Sequence, residues 1–200
     1  MLAREIRIAN DANCFALSEA IDGAAQGEPV VFGVILGTGV GGGIVVNGHL
    51  LEGAQHIAGE WGHNVLELNG PPCYCGKRGC VETFLSGPGL VRDFVAHGGD
   101  STFDARAISA ASGHGHQLAE ATMLRYLDRF GRAMSMVINI LDPDAIVLGG
   151  GLSNIARLYT SGRHEMARHI FNDELRTRLL PNRHGDSSGV RGAAQLWPAD

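Results

Sequence analysis

Residues 59–82 read GEWGHNVLELNGPPCYCGKRGCVE, a short segment that holds three cysteines and a histidine. The cysteines have the spacing C-x-C-x4-C, and the histidine lies upstream of them. Three thiolates and one imidazole are the donor set of a closed tetrahedral zinc site. The predicted metal ligands are His63, Cys73, Cys75 and Cys80. Four protein ligands leave no position for water, so this site is predicted to hold a loop in place and not to catalyse.

Core packing and a disulfide are the two other interpretations of these cysteines. Most residues from Pro71 to Gly79 are turn formers or charged side chains, which predict a surface loop. Buried structural thiols are uncommon in such a loop. The pattern therefore favours a metal over either alternative.

Asp11 is the second candidate for chemistry, because it lies in a polar cluster, Asn10–Asn13, between two regular segments. The alternating residues Leu2–Ile8 predict a strand before it, and the apolar spacing of residues 13–25 predicts a helix after it. The residues alone leave two interpretations open. Asp11 is the N-cap of the helix, or it is a general base at the exit of the strand.

A glycine turn, Gly37–Gly39, separates two apolar runs of strand length, Val30–Leu36 and Val40–Val46. Asn47-Gly48 then gives the signal of a second tight turn. Because the glycines lead into a strand and not into a helix, the pattern is not a dinucleotide-binding fingerprint. Bare N–H groups and a threonine hydroxyl in such a turn suit the phosphates of a nucleotide. A plain tight hairpin is the alternative.

A second glycine run follows the short apolar strand predicted at Ala145–Leu148. A strand that opens into Gly149–Gly151 lets a flat ligand such as adenine approach the backbone, although a tight turn explains it equally. The residues before this strand, His114–Ile140, predict a long amphipathic helix. Arg157–Leu180 is predicted to be helical, and Val190–Leu196 to begin a last helix.

Composition excludes several classes of partner. The chain has 200 residues, 44% of them hydrophobic, and a formal net charge of −5 with no run of basic residues. Neither nucleic acid nor an anionic membrane is therefore an expected partner. No apolar run is long enough to cross a bilayer, and clustered cysteines suit a reducing compartment, so we expect a cytoplasmic protein.

Taken together, the motifs resemble those of the ROK family of sugar kinases and sugar-responsive repressors, over nearly the whole chain. The motifs are NDAN at Asn10–Asn13, LGTGVGGG at Leu36–Gly43, GEWGH at Gly59–His63, CYCGKRGCVE at Cys73–Glu82 and DPDAIVLGGGLS at Asp142–Ser153. The resemblance implies an α/β fold of the actin-like ATPase (ribonuclease H-like) type, mainly its C-terminal large lobe, with a zinc-binding loop.

The resemblance also implies roles for single residues. It makes Asp11 the general base and not the cap, and it implies ATP, Mg²⁺ and a structural Zn²⁺ as cofactors. The residues placed on the sugar are Asn10, Glu60, His63 and Glu82. The residues placed on the nucleotide are Gly37, Thr38 and Gly39 in a phosphate loop, and Gly149, Gly150 and Gly151 in an adenosine loop. His63 would use one ring nitrogen for zinc and the other for the sugar.

Within the family, the chain is most similar to bacterial fructokinases of the manno(fructo)kinase type, followed by N-acetylglucosamine kinases. The expected reaction is therefore phosphorylation of fructose to fructose 6-phosphate by ATP in a homodimer. N-acetylglucosamine, glucose or mannose is the alternative acceptor. A non-catalytic sugar-binding regulator and a catalytically dead remnant are the other hypotheses.

One family motif, the D-x-G-x-T-K phosphate loop of the N-terminal lobe, does not occur in the sequence. We therefore expect residues 1–28 to be a remnant of that lobe and the crossover that carries Asp11. Residues 29–200 are expected to form the C-terminal kinase lobe, with the zinc knuckle at 63–80. The chain is expected to be a fragment or a truncated gene product, and a poor kinase by itself.

Overall fold

The computed structural model describes residues 5–197, which form one five-stranded sheet with helices on both faces. The strand order is β3-β2-β1-β4-β5. β1 pairs antiparallel with β2 and parallel with β4, which in turn pairs parallel with β5. The strands are β1 (Val30–Leu36), β2 (Val40–Val46), β3 (His49–Leu50), β4 (Ala145–Gly149) and β5 (Arg178–Pro181).

Seven α-helices lie in the described part of the chain. They are α1 (Asp11–Ile21), α2 (Glu82–Leu85), α3 (Gly87–Ala96), α4 (Ala105–Gly113), α5 (Gln117–Leu141), α6 (Ser161–His169) and α7 (Ser188–Ala194). Between residues 5 and 197, no helix is both long and apolar enough to cross a membrane.

The alternation of side chains along β1 explains the layers. Val31 packs with α1 residues on one face of the sheet, whereas Phe32 and Val34 belong to the larger core on the other face, where α5 lies. Successive residues of a strand point to opposite faces, so an apolar run of this kind can be buried on both sides. The result is a three-layer arrangement of α1, the sheet and α5.

Glycines let α1 lie unusually close to the sheet. A Cβ at Gly33 would lie 2.6 Å from the Ala16 Cβ, and one at Gly43 would lie 2.7 Å from the carbonyl oxygen of Ala12. Contacts below 3.0 Å are not compatible with a real side chain. These two glycines therefore allow the first turns of α1, and with them Asp11, to lie directly over the β1–β2 hairpin.

The buried carboxylate of Glu19 connects α1 by hydrogen bonds to the segment that contains Arg183 and Ser188. Glu19 has no exposed surface. Its Oε2 accepts from the backbone N–H groups of Ala24 (2.9 Å) and Arg183 (3.0 Å), and its Oε1 accepts from the Ser188 hydroxyl (2.8 Å). A buried charge is tolerated when such donors satisfy it. The role of Glu19 was not predicted from the sequence, although a glutamate among the apolar residues of a helix is a signal of such a buried carboxylate.

Several sequence-based predictions of elements are confirmed, among them β1, β2, β4 and the long helix α5. The strand predicted at Leu2–Ile8 is wrong for residues 5–8, which have no regular structure, and residues 1–4 lie outside the described residues. Ile6 and Ile8 are 62% and 89% exposed, so no sheet covers their apolar side chains. The helical region predicted at Arg157–Leu180 is wrong at its end, where β5 lies.

An ion-pair network holds the segment before the cysteines against the helices. Arg129 of α5 donates from Nε to Glu67 (2.9 Å) and from an Nη to Asp93 of α3 (2.8 Å). Burial of both carboxyls opposes their ionisation, but hydrogen bonds from the neighbouring arginines outweigh it and keep the pKa of Glu67 and Asp93 below the ordinary range. The Arg129 side chain is only 17% exposed, so water screens these pairs weakly.

We expect Arg129→Met to lower the free energy of unfolding by about 2 kcal/mol at pH 7, because it leaves two partly buried carboxylates without their shared partner. A depressed carboxyl pKa stabilises the fold above the ordinary carboxyl pKa, and the gain is lost as pH falls through the folded value. The difference between parent and variant should therefore shrink below about pH 4. Urea unfolding across pH measures it. Arg176→Met, at an arginine 82% exposed, is the control and should stay within about 0.5 kcal/mol.

Candidate active site

The N-terminus of α1 presents Asp11 to solvent, and Asn10 is the residue that caps the helix. The Asn10 Oδ1 accepts from the N–H groups of Ala12 (2.8 Å) and Asn13 (3.1 Å). Asp11 is exposed, and among residues 5–197 its carboxylate accepts only from the N–H of its neighbour Ala12, at 2.9 Å. The interpretation of Asp11 as the N-cap is therefore wrong. Its carboxylate does not cap the helix and is accessible from solvent.

Asn10 also reaches the second predicted sugar residue, because its Nδ2 donates to Glu60 Oε1 at 2.9 Å. Glu60 precedes a single 3-10 turn, Trp61–His63. Trp61 anchors this turn, since it is 4% exposed and donates from Nε1 to the Gly41 carbonyl at 3.2 Å. The structure thus brings Asn10, Glu60 and the exposed Asp11 together above the β1–β2 hairpin.

The four predicted metal ligands also lie together. Their ligand atoms are all within 4.8 Å of one another. The Cys75 and Cys80 sulfurs are 3.6 Å apart, as are the Cys73 sulfur and His63 Nδ1. A tetrahedral zinc with bonds of about 2.3 Å to sulfur and about 2.0–2.1 Å to nitrogen has edges of about 3.8 Å and 3.5 Å. The residues therefore fit zinc.

Burial of the cysteines differs from the sequence-based expectation. Cys73 and Cys80 are buried although the segment is a loop, because bridges Val65↔Cys80 and Pro72↔Arg78 fold it over them. A disulfide is not formed, since 3.6 Å is far beyond the S–S bond length of about 2.05 Å. Burial raises the pKa of the Cys80 thiol to about 12, whereas a backbone hydrogen bond at Lys77 lowers the pKa of the exposed Cys75.

Tyr74 occupies the nitrogen of His63 that was predicted to face the sugar. Its hydroxyl lies 3.0 Å from His63 Nε2, and the two rings meet edge to face with centroids 5.1 Å apart. Tyr74 is otherwise 84% exposed. The negative charge of Glu82, with a smaller contribution from Glu60, raises the pKa of Tyr74. Tyr74 was not predicted from the sequence, although it lies between two predicted ligands.

Glu82 contacts the glycine turn between β1 and β2. Its Oε2 accepts from the Val40 N–H at 2.9 Å. The prediction placed this carboxylate on the sugar alone, and the structure shows that one of its oxygens is already engaged with the backbone beside Gly39. Neither the cavity of about 760 Å³ lined by Glu60 and His63 nor the one of about 340 Å³ lined by Asn10 includes Glu82.

Both glycine runs emerge at the same edge of the sheet. β1 and β4 are parallel neighbours, with Ile35 opposite Gly149, so the turns that follow them lie side by side. Ligands of open α/β sheets bind beyond the carboxyl ends of such strands. Gly149 and Gly150 are required by packing, since a Cβ would meet Phe15 at 2.5 Å and the Leu36 carbonyl at 2.4 Å. A Cβ at Gly151 meets nothing within 4 Å, so packing does not explain that glycine.

Comparison with known proteins identifies the class to which this fold and site belong. The sequence model described as ROK family matches residues 1–200. The chain belongs to the ROK family. The crystal structure of a ROK hexokinase from Thermus thermophilus has a TM-score of 0.86 at 34% identity, over 96% of this chain and 64% of that one. The mixed α/β fold is therefore that of ROK sugar kinases, as predicted.

Two further relatives are informative about activity. An N-acetyl-D-glucosamine kinase of Yersinia pseudotuberculosis serotype O:1b (strain IP 31758) is 41% identical over 210 positions, covering all of this chain and 69% of that protein. A ROK family glucokinase from Streptomyces griseus, in complex with glucose and AMPPNP, has a TM-score of 0.84 at 29% identity over 98% of this chain and 69% of that one. This chain thus spans about two thirds of their length. Fructose as the acceptor gains no support from these relatives.

Proposed function

We propose that this chain supplies the catalytic base, most of the sugar pocket and the nucleotide-binding turns of an ATP-dependent hexose kinase. The observation that carries the proposal is the hydrogen bond from Asn10 to Glu60, which holds the exposed Asp11 beside the segment that includes His63. The names of the relatives support ATP-dependent sugar phosphorylation. Among hexoses, N-acetyl-D-glucosamine is the acceptor that we propose, in place of fructose.

In the proposed reaction, Asp11 takes the proton of the attacking sugar hydroxyl. The hydroxyl oxygen forms a bond to the γ-phosphorus of ATP while the bond from that phosphorus to the bridging oxygen breaks, and ADP leaves. Asn10, Glu60 and Glu82 orient the sugar by its other hydroxyls. Phosphoryl transfer depends mainly on positioning and charge neutralisation, and Mg²⁺ supplies part of the latter when it accompanies ATP.

The phosphate contacts are proposed to come from the turn Gly37–Gly39, and the adenosine contacts from Gly149–Gly151. Their shared edge of the sheet supports this arrangement, because one nucleotide can then touch both. We also propose that His63, Cys73, Cys75 and Cys80 hold a structural zinc. The predicted division at residue 28, the homodimer and the cytoplasmic location stay predictions.

A panel of acceptors tests the proposed function. Purified protein is incubated with ATP and Mg²⁺, and ADP formation is followed with N-acetyl-D-glucosamine, fructose, glucose and mannose. The highest kcat/KM is expected for N-acetyl-D-glucosamine. Calorimetric titration of the same sugars is run in parallel, so that weak turnover is separated from absent binding. If no hexose binds or is phosphorylated, the proposal is wrong; a preference for fructose contradicts the choice of acceptor alone.

We expect Tyr74→Phe to tighten hexose binding by about two- to tenfold, since one hydrogen bond is worth about 0.5–1.5 kcal/mol net. The Tyr74 hydroxyl occupies His63 Nε2, so a sugar hydroxyl must replace it there. Phenylalanine keeps the ring on His63 but removes the competitor. Calorimetry on the parent and the variant gives the ratio of dissociation constants. Weaker binding by the variant would show instead that Tyr74 is itself a sugar ligand.

A further inference from the structure

The carboxylate of Glu82 lies between the cysteine loop and the turn that we assign to phosphate. Glu82 is the first residue of α2, two positions after Cys80. Its Oε2 accepts from the N–H of Val40, the first residue of β2, at 2.9 Å. Hydrogen bonds to an ionised carboxylate are about twice as strong as neutral ones. The start of α2 is therefore fastened to the end of the turn Gly37–Gly39.

The same turn has a second attachment at its other end. The N–H of Gly87, which begins α3, donates to the Gly37 carbonyl at 2.8 Å. The last residue of the turn packs against the carboxylate, because a Cβ at Gly39 would lie 2.7 Å from Glu82 Oε2. Glycine at position 39 thus has a packing reason that concerns Glu82 and not only the phosphate. The first residues of α2 and α3 thus hold the turn at its two ends.

The hydrogen bond from the Val40 N–H to Glu82 determines which atoms of the turn can contact a phosphate. The N–H of Val40 donates to Glu82, so the contacts available to an anion come from the preceding residues, including the hydroxyl of Thr38. The negative charge of Glu82 also lies beside that anion and repels it. The hydrogen bond and the charge therefore act in opposite directions on nucleotide binding, and substitutions can separate them.

We propose that Glu82 is a positioning residue for the phosphate turn and couples hexose binding to nucleotide binding. The inference rests on the proposed function and adds this coupling to it. The hydrogen bond from Val40 uses Oε2, and Oε1 is the oxygen that we assign to a sugar hydroxyl. A sugar hydroxyl bound at Oε1 restricts the orientation of the Glu82 carboxylate, and the carboxylate restricts the conformation of the turn Gly37–Gly39. The coupling is reciprocal, since each ligand must strengthen the other by the same factor.

Calorimetry with a non-hydrolysable ATP analogue and Mg²⁺, with and without saturating N-acetyl-D-glucosamine, tests the inference on the full chain. In the parent, the sugar should tighten nucleotide binding about fivefold or more. Glu82→Ala should weaken nucleotide binding about tenfold or more and abolish the coupling. Glu82→Gln should keep nucleotide binding within about threefold, because its amide oxygen still accepts from Val40 and the repelling charge is gone.

Glu60→Ala is the matched control, because this carboxylate bonds to Asn10 and not to the turn. It should weaken hexose binding and leave the dissociation constant of the analogue unchanged. Thermal unfolding of each variant shows whether it is folded. If Glu82→Ala does not fold, Gly39→Ala replaces it, since the added methyl displaces the carboxylate without removing it; that variant should also lose the coupling.

Three results are distinguishable. If Glu82→Ala, or Gly39→Ala in its place, binds the analogue as the parent does, Glu82 serves the sugar alone and the inference is wrong. If Glu82→Gln weakens nucleotide binding as much as Glu82→Ala, the hydrogen bond to Val40 does not position the turn, which also overturns it. If the parent binds neither ligand, the proposed function fails, and the inference fails with it.

Discussion

Asp11→Asn is expected to reduce hexose phosphorylation by about 10²–10⁴-fold, because asparagine cannot accept the hydroxyl proton that a positioned base removes. Binding of hexose and nucleotide should change little, since the amide has the same shape and can still hydrogen-bond. The structure removes the competing explanation of this residue, because Asn10 and not Asp11 caps α1. Turnover and dissociation constants are measured in a form of the protein that phosphorylates a hexose, either this chain alone or joined to a D-x-G-x-T-K lobe.

A matched control for this change is Asp104→Asn. Asp104 is the N-cap of α4 and accepts from the Ala107 N–H at 2.7 Å. Asparagine caps a helix as well as aspartate does, so the control should be nearly silent in both turnover and stability. If Asp11→Asn keeps more than about a tenth of the parent turnover, the assignment of the base is wrong. Glu60, the carboxylate held by Asn10, would then be the next candidate.

Cys80→Ser is expected to abolish zinc binding and to lower the free energy of unfolding by about 4 kcal/mol when free zinc exceeds its dissociation constant about 1,000-fold. Cys80 is fully buried, and its sulfur lies 3.6 Å from the Cys75 sulfur. The substitution therefore removes the least exposed of the four ligands. Zinc content by elemental analysis should fall from about one per chain to near zero. Thermal unfolding with and without a chelator should show a difference only in the parent.

Cys14→Ser is the control for the cysteine chemistry. Cys14 is also buried, but it lies in α1 and outside the cluster of four ligands. Its substitution should leave the zinc content unchanged. A parent protein that holds no zinc, with the cysteines of the cluster joined as disulfides, would contradict the proposed site. A Cys80→Ser variant with full zinc content would contradict the assignment of that ligand.

The sequence predicted best those elements whose signals are local. The β1–β2 hairpin follows from two apolar runs and a glycine turn, and α5 follows from its apolar periodicity and ends before Pro143. β5 was missed because its residues, RLLP, show no alternation. They become a strand by pairing with β4, which is distant in the sequence. The prediction failed at residues 5–8 for a different reason, since alternating apolar residues do not form a sheet without a neighbouring strand.

The same distinction between local signals and distant contacts applies to the candidate site. Which residues could bind metal was readable from residue type and spacing, and the structure gathers all four of them. How each polar atom is used was not readable, because it depends on contacts between distant segments. The engagement of Glu82 with Val40 and of His63 with Tyr74 are two such cases. Each contact changes the expected effect of a substitution, although Glu82 and His63 themselves were already predicted to belong to the site.

The bonds of Glu19 have a consequence for the order in which the protein can fold during synthesis. This glutamate leaves the ribosome 164 residues before the N–H of Arg183 and 169 residues before the hydroxyl of Ser188, which satisfy it. Until then its carboxylate has to stay in water, because burying it without those donors is costly. The helix that carries Asp11 therefore cannot pack in its final position until the segment with Arg183 and Ser188 has been synthesised. A nascent chain stalled before residue 183 should leave α1 open to protease, and a chain long enough to expose Arg183 and Ser188 outside the ribosome should protect it.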